Sequence, residues 1–188
     1  MIRYGAYDQD GKAGAEDIEW LVLAKSEGKI LVISRYCFMT SAYSNASPAV
    51  WSSSQARSFL NGSFLSQAFS AKEQAAILST KLSTPANPQT KQGGGADTTD
   101  KVFLLSIQEV QKYMSAAQVK TTATASAKGA YVEGGEVFWW LRSAGDGPAT
   151  AAHTRTGGAI DFAGETAKVV GALRPAMWID ANQSEFLP

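Results

Sequence analysis

The sequence predicts an α+β fold, because strand patterns lie at both ends of the chain and helical patterns lie between them. Residues 18–34 and 137–179 hold runs rich in β-branched and aromatic residues, whereas residues 51–78 carry apolar side chains at helical spacing. The terminal strands are expected to meet in one antiparallel sheet, with short helices in the middle and long loops between elements. With 188 residues and 45% hydrophobic content, the chain is expected to form a single domain over residues 1–188.

The N-terminal strand pattern predicts a β-hairpin. Two strand-like runs, residues 18–23 and 29–34, flank a short turn that contains Gly28. The second run continues into residues 35–39, so this strand is expected to be long or bulged. Residues 40–50 are rich in small polar side chains and predict a connecting loop.

Helix signals follow that loop. Ser53 or Ser54 can cap a short helix, and Asn61-Gly62 predicts its end in a left-handed turn. Residues 70–73 and 106–109 both have a serine followed three positions later by a glutamate, which is a capping box. We therefore expect a short helix after each of these serines.

Two long segments without a clear period predict loops. Residues 83–99 contain two prolines and three consecutive glycines, and residues 115–128 are mostly small and polar, with room for one helical turn. Between them, the apolar run at residues 100–105 predicts a buried strand.

The C-terminal part is organised around residues 137–143, Val-Phe-Trp-Trp-Leu-Arg-Ser, which predict a central strand. Further strands are expected near residues 149–154, at 158–163 and over 169–179. Gly157-Gly158 predicts a tight turn between two of them. Two stiff strands thus bracket a displayed surface of small, polar residues.

Composition excludes several classes of partner. Seventeen basic and seventeen acidic residues cancel, and no basic run occurs, so neither nucleic acid nor an anionic membrane is expected as the main partner. No apolar run is long enough for membrane insertion, and no signal-peptide pattern is present. We expect a soluble chain, either cytoplasmic or associated with a virion or cell surface as part of a larger assembly. The single cysteine, Cys37, is expected to be a buried, inert thiol.

Several segments carry a resemblance to a known family. Asp-Lys-Val-Phe-Leu-Leu-Ser at residues 100–106, Trp-Trp-Leu-Arg-Ser at 139–143 and Leu-Arg-Pro-Ala at 173–176 resemble the bacterial and phage-associated domain of unknown function DUF6273. Residues 18–23 and 51–61 also resemble that family, so the similarity covers most of the chain.

The final third also resembles C-type-lectin-like folds of the formylglycine-generating-enzyme branch. In those folds a tryptophan/arginine strand and a late glycine-x-arginine segment frame the ligand face. Residues 171–174, Gly-Ala-Leu-Arg, depart from the usual spacing by one residue. Variable proteins of diversity-generating retroelements share this fold and place their diversified, target-binding positions in this stretch. The resemblance therefore implies a C-type-lectin-like binding module.

Residues 141–164 have an unusual composition. Lys, Glu, Gln, Met and Trp are absent, and a codon ending in a pyrimidine can encode every residue present. Adenine-directed mutagenesis by a retroelement would leave this pattern. A glycine-rich segment that lacks long side chains is the alternative explanation.

The conspicuous residues of the two apolar strands are assigned to the scaffold. Arg142 and Arg174 are each expected to form an ion pair or to donate to backbone carbonyls, because a charged group is rarely buried unpaired. An anion-binding role is the alternative. Trp139, Trp140 and Trp178 complete the structural set.

Catalytic and metal sites have little support in the sequence. His153 is the only histidine, and as a general base it would need a carboxylate such as Asp146 or Asp161; a solvent-facing strand position is favoured. One cysteine and one histidine cannot form a transition-metal cluster, and Asp97, Asp100 and Asp161 are too scattered for a calcium loop. We predict no catalytic residue, metal or cofactor.

The leading hypothesis is a non-enzymatic module that binds a protein or glycan target through residues 145–165, since exposed loops on rigid strands often carry function. The predicted ligand-binding residues are Asp146, Thr150, His153, Arg155, Asp161, Phe162 and Glu165. The alternatives are a formylglycine-generating-enzyme-like enzyme, with a deep pocket beside Cys37 or His153, and a structural domain of a phage-tail or surface protein.

Overall fold

A computed structural model describes residues 1–183 of the protein. Strands dominate, helices are short, and most strand pairs are antiparallel, so the prediction of a mixed fold is confirmed. The strands are β1 (Ile2–Tyr7), β2 (Glu16–Ser26), β3 (Lys29–Ser34), β4 (Met39–Ala42), β5 (Thr80–Leu82), β6 (Thr98–Asp100), β7 (Val132–Glu133), β8 (Glu136–Val137), β9 (Trp139–Ala144), β10 (Thr150–Thr154), β11 (Ile160–Thr166), β12 (Val170–Leu173) and β13 (Ala176–Asp180). The helices are α1 (Gln55–Phe59), α2 (Leu65–Ala68), α3 (Ala71–Ala76), α4 (Ile107–Tyr113) and α5 (Ala116–Val119). No helix within residues 1–183 has the length and apolar character needed to cross a membrane.

The first sheet joins the two ends of the described chain. Its strand order is β1-β2-β3-β13, and every neighbouring pair is antiparallel. The predicted hairpin is present as β2 and β3, which turn at Glu27 and Gly28 with φ of 49° and 74°. The last strand, β13, pairs with β3, with Trp178 opposite Leu31.

The second sheet corrects the prediction of one antiparallel sheet. Its order is β11-β10-β9-β12-β4, and β12 lies parallel to β9, with Ala172 opposite Trp139. The run predicted as one strand over residues 169–179 is two strands in two different sheets, and the chain passes between them at Arg174-Pro175. Proline has no N–H to donate to a sheet, so a continuous strand is disfavoured there.

The predicted strand at residues 100–105 was also wrong in extent. Only Thr98–Asp100 forms a strand, although residues 102–105 are buried. Side chains occupy the backbone groups that a strand would use: the Val102 carbonyl accepts from the Asn61 amide at 2.8 Å, and the Leu104 carbonyl accepts from Arg142 at 2.9 Å. Backbone pairing with a strand is limited here to Phe103, which forms a single antiparallel bridge with Ala176 of β13, so the run does not extend into a regular strand.

The helices begin where the capping signals predict. The Ser54 hydroxyl accepts from the Arg57 N–H at 3.1 Å, and both predicted capping boxes, at Ser70 and Ser106, are present. A third capping box at Ser115 opens α5, the helical turn allowed for in the second loop.

The helix end predicted at Asn61-Gly62 was wrong. The chain continues through a π-helical turn, Leu60–Phe64, into α2. Asn61 uses its side chain to bind the Val102 carbonyl, and Gly62 is not among the residues with positive φ. Burial of Leu60 and Phe64 favours continuing the helix over ending it.

Tryptophans fill the core between the sheets and helices, and their ring N–H groups are satisfied there. Trp20, Trp51, Trp139 and Trp140 are each buried. Trp51 donates to the Asp100 carboxylate at 2.9 Å, and the other three donate to backbone carbonyls at 2.7–3.2 Å. Trp178 is half-buried, with the Lys29 ammonium 5.5 Å from its ring centre.

Candidate functional site

The β10–β11 hairpin gathers four of the predicted ligand-binding residues. His153 lies opposite Asp161 in the antiparallel pair, and a bulge between Ala151 and His153 shifts the register beside Glu165. Cross-strand neighbours of this kind lie close enough to interact. His153, Arg155 and Glu165 line one cleft, and Asp161 reaches it through its ion pair with Arg155.

This cleft has a volume of about 390 Å³. Two hairpins, β7–β8 and β10–β11, and the turn between β11 and β12 form its walls. The lining residues are Tyr131, Glu133, Phe138, His153, Arg155, Thr156, Glu165 and Val169. We call it the His153 cleft.

The sequence favoured a solvent-facing position for His153, but its side chain is half-buried. Its ring stands edge-on to Phe138, with centroids 5.1 Å apart, and to Trp140, with centroids 5.9 Å apart. Its Nδ1 atom is buried and has no hydrogen-bond partner among residues 1–183. The prediction failed because Phe138 and Trp140 pack against the imidazole, and strand alternation around His153 does not reveal these contacts.

Burial lowers the pKa of His153 below 6.5, because a proton would place charge in surroundings with little water. The carboxylates of Asp161 and Glu165 raise the pKa and Arg155 lowers it, but burial has the largest influence. His153 is therefore neutral at pH 7 and contributes an aromatic surface to the cleft.

One pair of charged groups at the cleft forms an ion pair, and two carboxylates there do not. Arg155 forms an ion pair with Asp161, with Nη2 2.7 Å and Nε 3.0 Å from Oδ2. Glu133 accepts a hydrogen bond from the Thr156 hydroxyl at 3.1 Å. Neither Glu133 nor Glu165 forms an ion pair with any residue that the structure describes. The cleft thus holds two carboxylates without a positive partner.

Exposed apolar residues cluster at the same place. Five large apolar residues in the described chain are exposed, and four of them line the cleft or directly adjoin a lining residue in sequence. These four, which we call the apolar rim, are Tyr131, Val132, Val169 and Val170. Exposed apolar surface concentrated around a cleft is typical of an interaction site.

Three predicted ligand-binding residues lie outside the cleft. The Thr150 hydroxyl donates to the Asp146 carboxylate at 3.0 Å and accepts from the Gly147 N–H at 3.0 Å, which closes the turn between β9 and β10. Phe162 is half-buried and packs against the core. The structure therefore does not bring these three together with His153.

Residues 131–133 and Val169 contribute a wall of the cleft that was not predicted, because the ligand-binding surface was expected to lie within residues 145–165. One signal was available. Tyr131 and Val132 lie in a short segment with Gly129 on one side and Gly134 and Gly135 on the other, where large apolar residues have little reason to be unless they are displayed.

Asn87 connects the loop at residues 83–99 to strands β9 and β11. Its buried side-chain amide donates to the carbonyls of Ala144 and Phe162, both at 2.8 Å. Its side-chain oxygen accepts from the N–H groups of Gln89 and Thr90 at 3.0 and 3.2 Å. One side chain thus ties the long loop to two strands of the second sheet.

Replacing Asn87 with alanine is expected to lower the free energy of unfolding by about 2–3 kcal/mol, because buried carbonyls would lose their donors. Urea denaturation measures this loss. Asn45→Ala, at an exposed asparagine, is the matched control and should change stability by less than about 0.5 kcal/mol. Equal effects of the two variants would contradict the role given to Asn87.

The pKa of His153 is open to direct measurement, since it is the only histidine. An NMR titration should give a pKa below 6.5, and Glu165→Gln should lower the pKa further by removing a carboxylate. The unfolded chain takes up the proton near pH 6.5 and the folded chain only at lower pH. The contribution of His153 to stability should therefore be constant well above pH 6.5 and be lost as pH falls through the folded pKa. His153→Gln should remove that part of the slope between pH 7.5 and 5.5; an unchanged slope would contradict this account.

Two buried arginines lie on or next to strands of the second sheet. Arg142 on β9 is 3% exposed and forms an ion pair with Glu109, and it donates to the carbonyls of Leu104 and Ser83. Arg174 is 1% exposed, and its guanidinium lies 5.1 Å from the centre of the Trp139 ring. Both positions anchor loops and strands to the second sheet.

A cluster of carboxylates elsewhere was not anticipated from the sequence. Oxygen atoms of Asp8, Asp10 and Glu16 lie within 4.8 Å of one another, and Asp8 also lines a separate cleft of about 510 Å³. Each of these carboxylates accepts a hydrogen bond from a backbone N–H of the same loop, at 2.6–2.9 Å. These bonds account for the turn at residues 8–12. The three aspartates weighed from the sequence, in contrast, include Asp100, which Arg57 and Trp51 already bind.

Comparison with known proteins gave one match. The sequence model of DUF6273, a domain of unknown function, matches residues 27–181. This span includes every residue that lines the His153 cleft. No curated protein and no solved structure matches the chain.

Proposed function

The chain belongs to the DUF6273 family, and on that premise we propose that it is a target-recognition module whose contact surface is the His153 cleft with its apolar rim. The single observation that carries the proposal is the clustering of exposed apolar residues around a cleft that also holds unpaired charge. Recognition sites combine apolar contact area with a few polar groups that set specificity. The remaining described surface has one other exposed large apolar residue, Met1.

One wall of the cleft is a hairpin that pairs with a buried strand, and such a fixed surface favours a role in recognition. The hairpin that carries His153 and Glu165 pairs along β9, whose residues are all buried. When the groups that contact a target are held on rigid strands, the protein loses little conformational entropy on binding. A protein target fits the apolar rim, and a glycan stacked on Tyr131 is the other possible target class.

We extend the proposal to a C-type-lectin-like fold and to diversification by a retroelement. The composition of residues 141–164 supports diversification, and within that segment Asp146, Arg155 and Ala163 are exposed while Leu141 and Ala152 are buried. Diversification would act usefully only at the exposed positions. The neighbouring genes test it: a reverse transcriptase and a near-identical template repeat are expected, and their absence would remove this extension.

Alanine variants test the proposed surface. Against a target identified by screening immobilised proteins and glycans, Tyr131→Ala, His153→Ala and Glu165→Ala should each weaken binding about tenfold or more. Asp146→Ala should have a smaller effect, because this residue closes a turn outside the cleft.

Exposed residues far from the cleft provide the control. Lys25→Ala and Asp97→Ala should leave the affinity within about twofold of the unmodified protein. If cleft variants and control variants bind equally well, the surface assigned here is not the contact surface.

An enzyme is a second candidate, favoured by the half-buried histidine of lowered pKa in a cleft with carboxylates nearby. Among the lining residues, the Thr156 hydroxyl is already bound to Glu133. Cys37 is buried outside this lining, and burial raises the pKa of its thiol to about 12. An enzyme of this kind should process a bound ligand and lose that turnover, but not ligand affinity, in His153→Gln.

The third candidate, a structural domain of a larger surface or phage-tail protein, would bury the apolar rim against a neighbouring chain. It predicts that Val169→Ser and Val132→Ser disrupt the assembly without affecting the binding of any separate target.

A further inference from the structure

We infer that the His153 cleft receives a cationic side chain, an arginine or a lysine, from a protein target. This inference rests on the proposed function and adds the chemical class of the group that is bound. It follows from the charge, the aromatic surface and the apolar rim of the cleft.

The cleft carries more negative than positive charge. The cleft and its bound partner Asp161 contain three carboxylates and one guanidinium, Arg155. Arg155 and Asp161 compensate one another, so the exposed carboxylates of Glu133 and Glu165 leave about two negative charges at the cleft without a positive partner. Lys168 precedes Val169 in the chain but is not among the lining residues. An incoming cation would supply the missing counter-charge, whereas an anionic group would be repelled.

Aromatic rings form part of the same cleft. Tyr131, which is 59% exposed, and Phe138 line the same cleft as the two carboxylates. The face of an aromatic ring attracts a cation, and a guanidinium also stacks on it. His153, neutral at pH 7, extends this surface without adding positive charge.

The lining of the cleft suits a cationic side chain better than a metal ion or a neutral sugar. A free metal ion would prefer a compact set of oxygen ligands, and this lining is largely apolar. A neutral sugar would not compensate the two carboxylates. An arginine or lysine side chain carries its charge on an aliphatic stem, and the stem can lie against Val169 while the backbone around it contacts the rim.

The experiment uses the full chain labelled with ¹⁵N-histidine, so that one imidazole reports from inside the cleft. N-acetyl-arginine amide is titrated in, and N-acetyl-citrulline amide serves as the neutral probe of nearly the same shape. The arginine probe should shift the His153 signals with a dissociation constant on the order of 1–10 mM, and the citrulline probe should not. The arginine shift should weaken as salt is raised, because exposed charges are screened.

The variant Glu133→Gln/Glu165→Gln should bind the arginine probe about tenfold more weakly. Its control is Glu27→Gln/Asp97→Asn, which removes two exposed carboxylates elsewhere and so changes the net charge by the same amount. Binding that is lost in the first variant and kept in the second supports the inference. Equal shifts from both probes, no shift at all, or equal loss in both variants would overturn it.

These outcomes are separable from the proposed function. If the arginine probe fails to bind while Tyr131→Ala and His153→Ala still abolish target binding, the cleft remains the recognition site and only the cationic ligand class is wrong. If the cleft variants also leave target binding intact, the proposed function itself fails.

Discussion

Replacing Arg142 with methionine is expected to destabilise the fold by about 3–5 kcal/mol. The Arg142 guanidinium binds both carboxylate oxygens of Glu109 and the carbonyls of Leu104 and Ser83. The Glu109 side chain is only 24% exposed, so removing its partner leaves a poorly solvated negative charge as well as two carbonyls without donors. Chemical denaturation followed by tryptophan fluorescence measures the loss.

A second substitution separates charge from packing. Glu109→Gln in the Arg142→Met background should restore part of the stability, because glutamine keeps the capping box while removing the unpaired charge. Arg3→Met is the matched control at an arginine whose side chain is 49% exposed and should cost less than about 0.5 kcal/mol. A loss below about 1 kcal/mol for Arg142→Met would contradict the assignment of this ion pair to the scaffold.

Arg174→Met is expected to lower stability by a similar amount, about 3–5 kcal/mol, for a different reason. Arg174 donates to the carbonyls of Ser34 and Gln118 at 2.9 and 2.7 Å, and to those of Val119 and Arg35 at 3.2 and 3.4 Å. The carbonyls of Val119 and Arg35 each keep another side-chain donor, whereas those of Ser34 and Gln118 lose the Arg174 donor, at about 1–3 kcal/mol per buried carbonyl. The free energy of unfolding from urea titration tests this value.

The absence of a carboxylate partner within residues 1–183 distinguishes Arg174 from Arg142. Burial lowers the pKa of Arg174 to about 10, so it is still charged at pH 7, and backbone carbonyls accept the hydrogen bonds that it donates within residues 1–183. Arg174→Lys should recover less than half of the loss, because an ammonium cannot reproduce the planar fork of donors. Full recovery by lysine would show that charge alone, and not the carbonyl geometry, holds this junction.

The sequence predicted the parts of the fold that depend on local chemistry. Capping boxes at Ser70 and Ser106 form because each serine and the glutamate three residues later satisfy one another's neighbouring amides, with no help from distant residues. The hairpin around Gly28 follows equally local rules, since a positive φ is needed at the turn. These elements were found at their predicted places.

The division into two sheets could not be predicted in the same way. It depends on Arg174, whose carbonyl partners lie about 55 and 140 residues away in the chain, and on the passage between sheets at the adjacent Pro175. Likewise Asn61 binds the Val102 carbonyl instead of ending a helix. Such long-range side-chain bonds leave no periodic signal in the sequence.

Only the part of the candidate site that depends on local sequence could be predicted. The hairpin that holds His153 and Glu165 follows from strand alternation and the Gly157-Gly158 turn. The opposite wall, with Tyr131 and Glu133, comes from a separate hairpin that reaches the site only in the folded chain. Asp146 and Thr150 lie on the predicted segment but bind each other at a turn, and so lie outside the cleft.

Hydrogen–deuterium exchange of the complex with an identified target tests the central claim most directly, because it locates the contact surface without any substitution. We predict slower exchange at residues 131–133 and 153–169 on binding, and little change in the first sheet at β1 and β2. Protection centred on β1 and β2, with the His153 cleft exchanging at its unbound rate, would contradict the account.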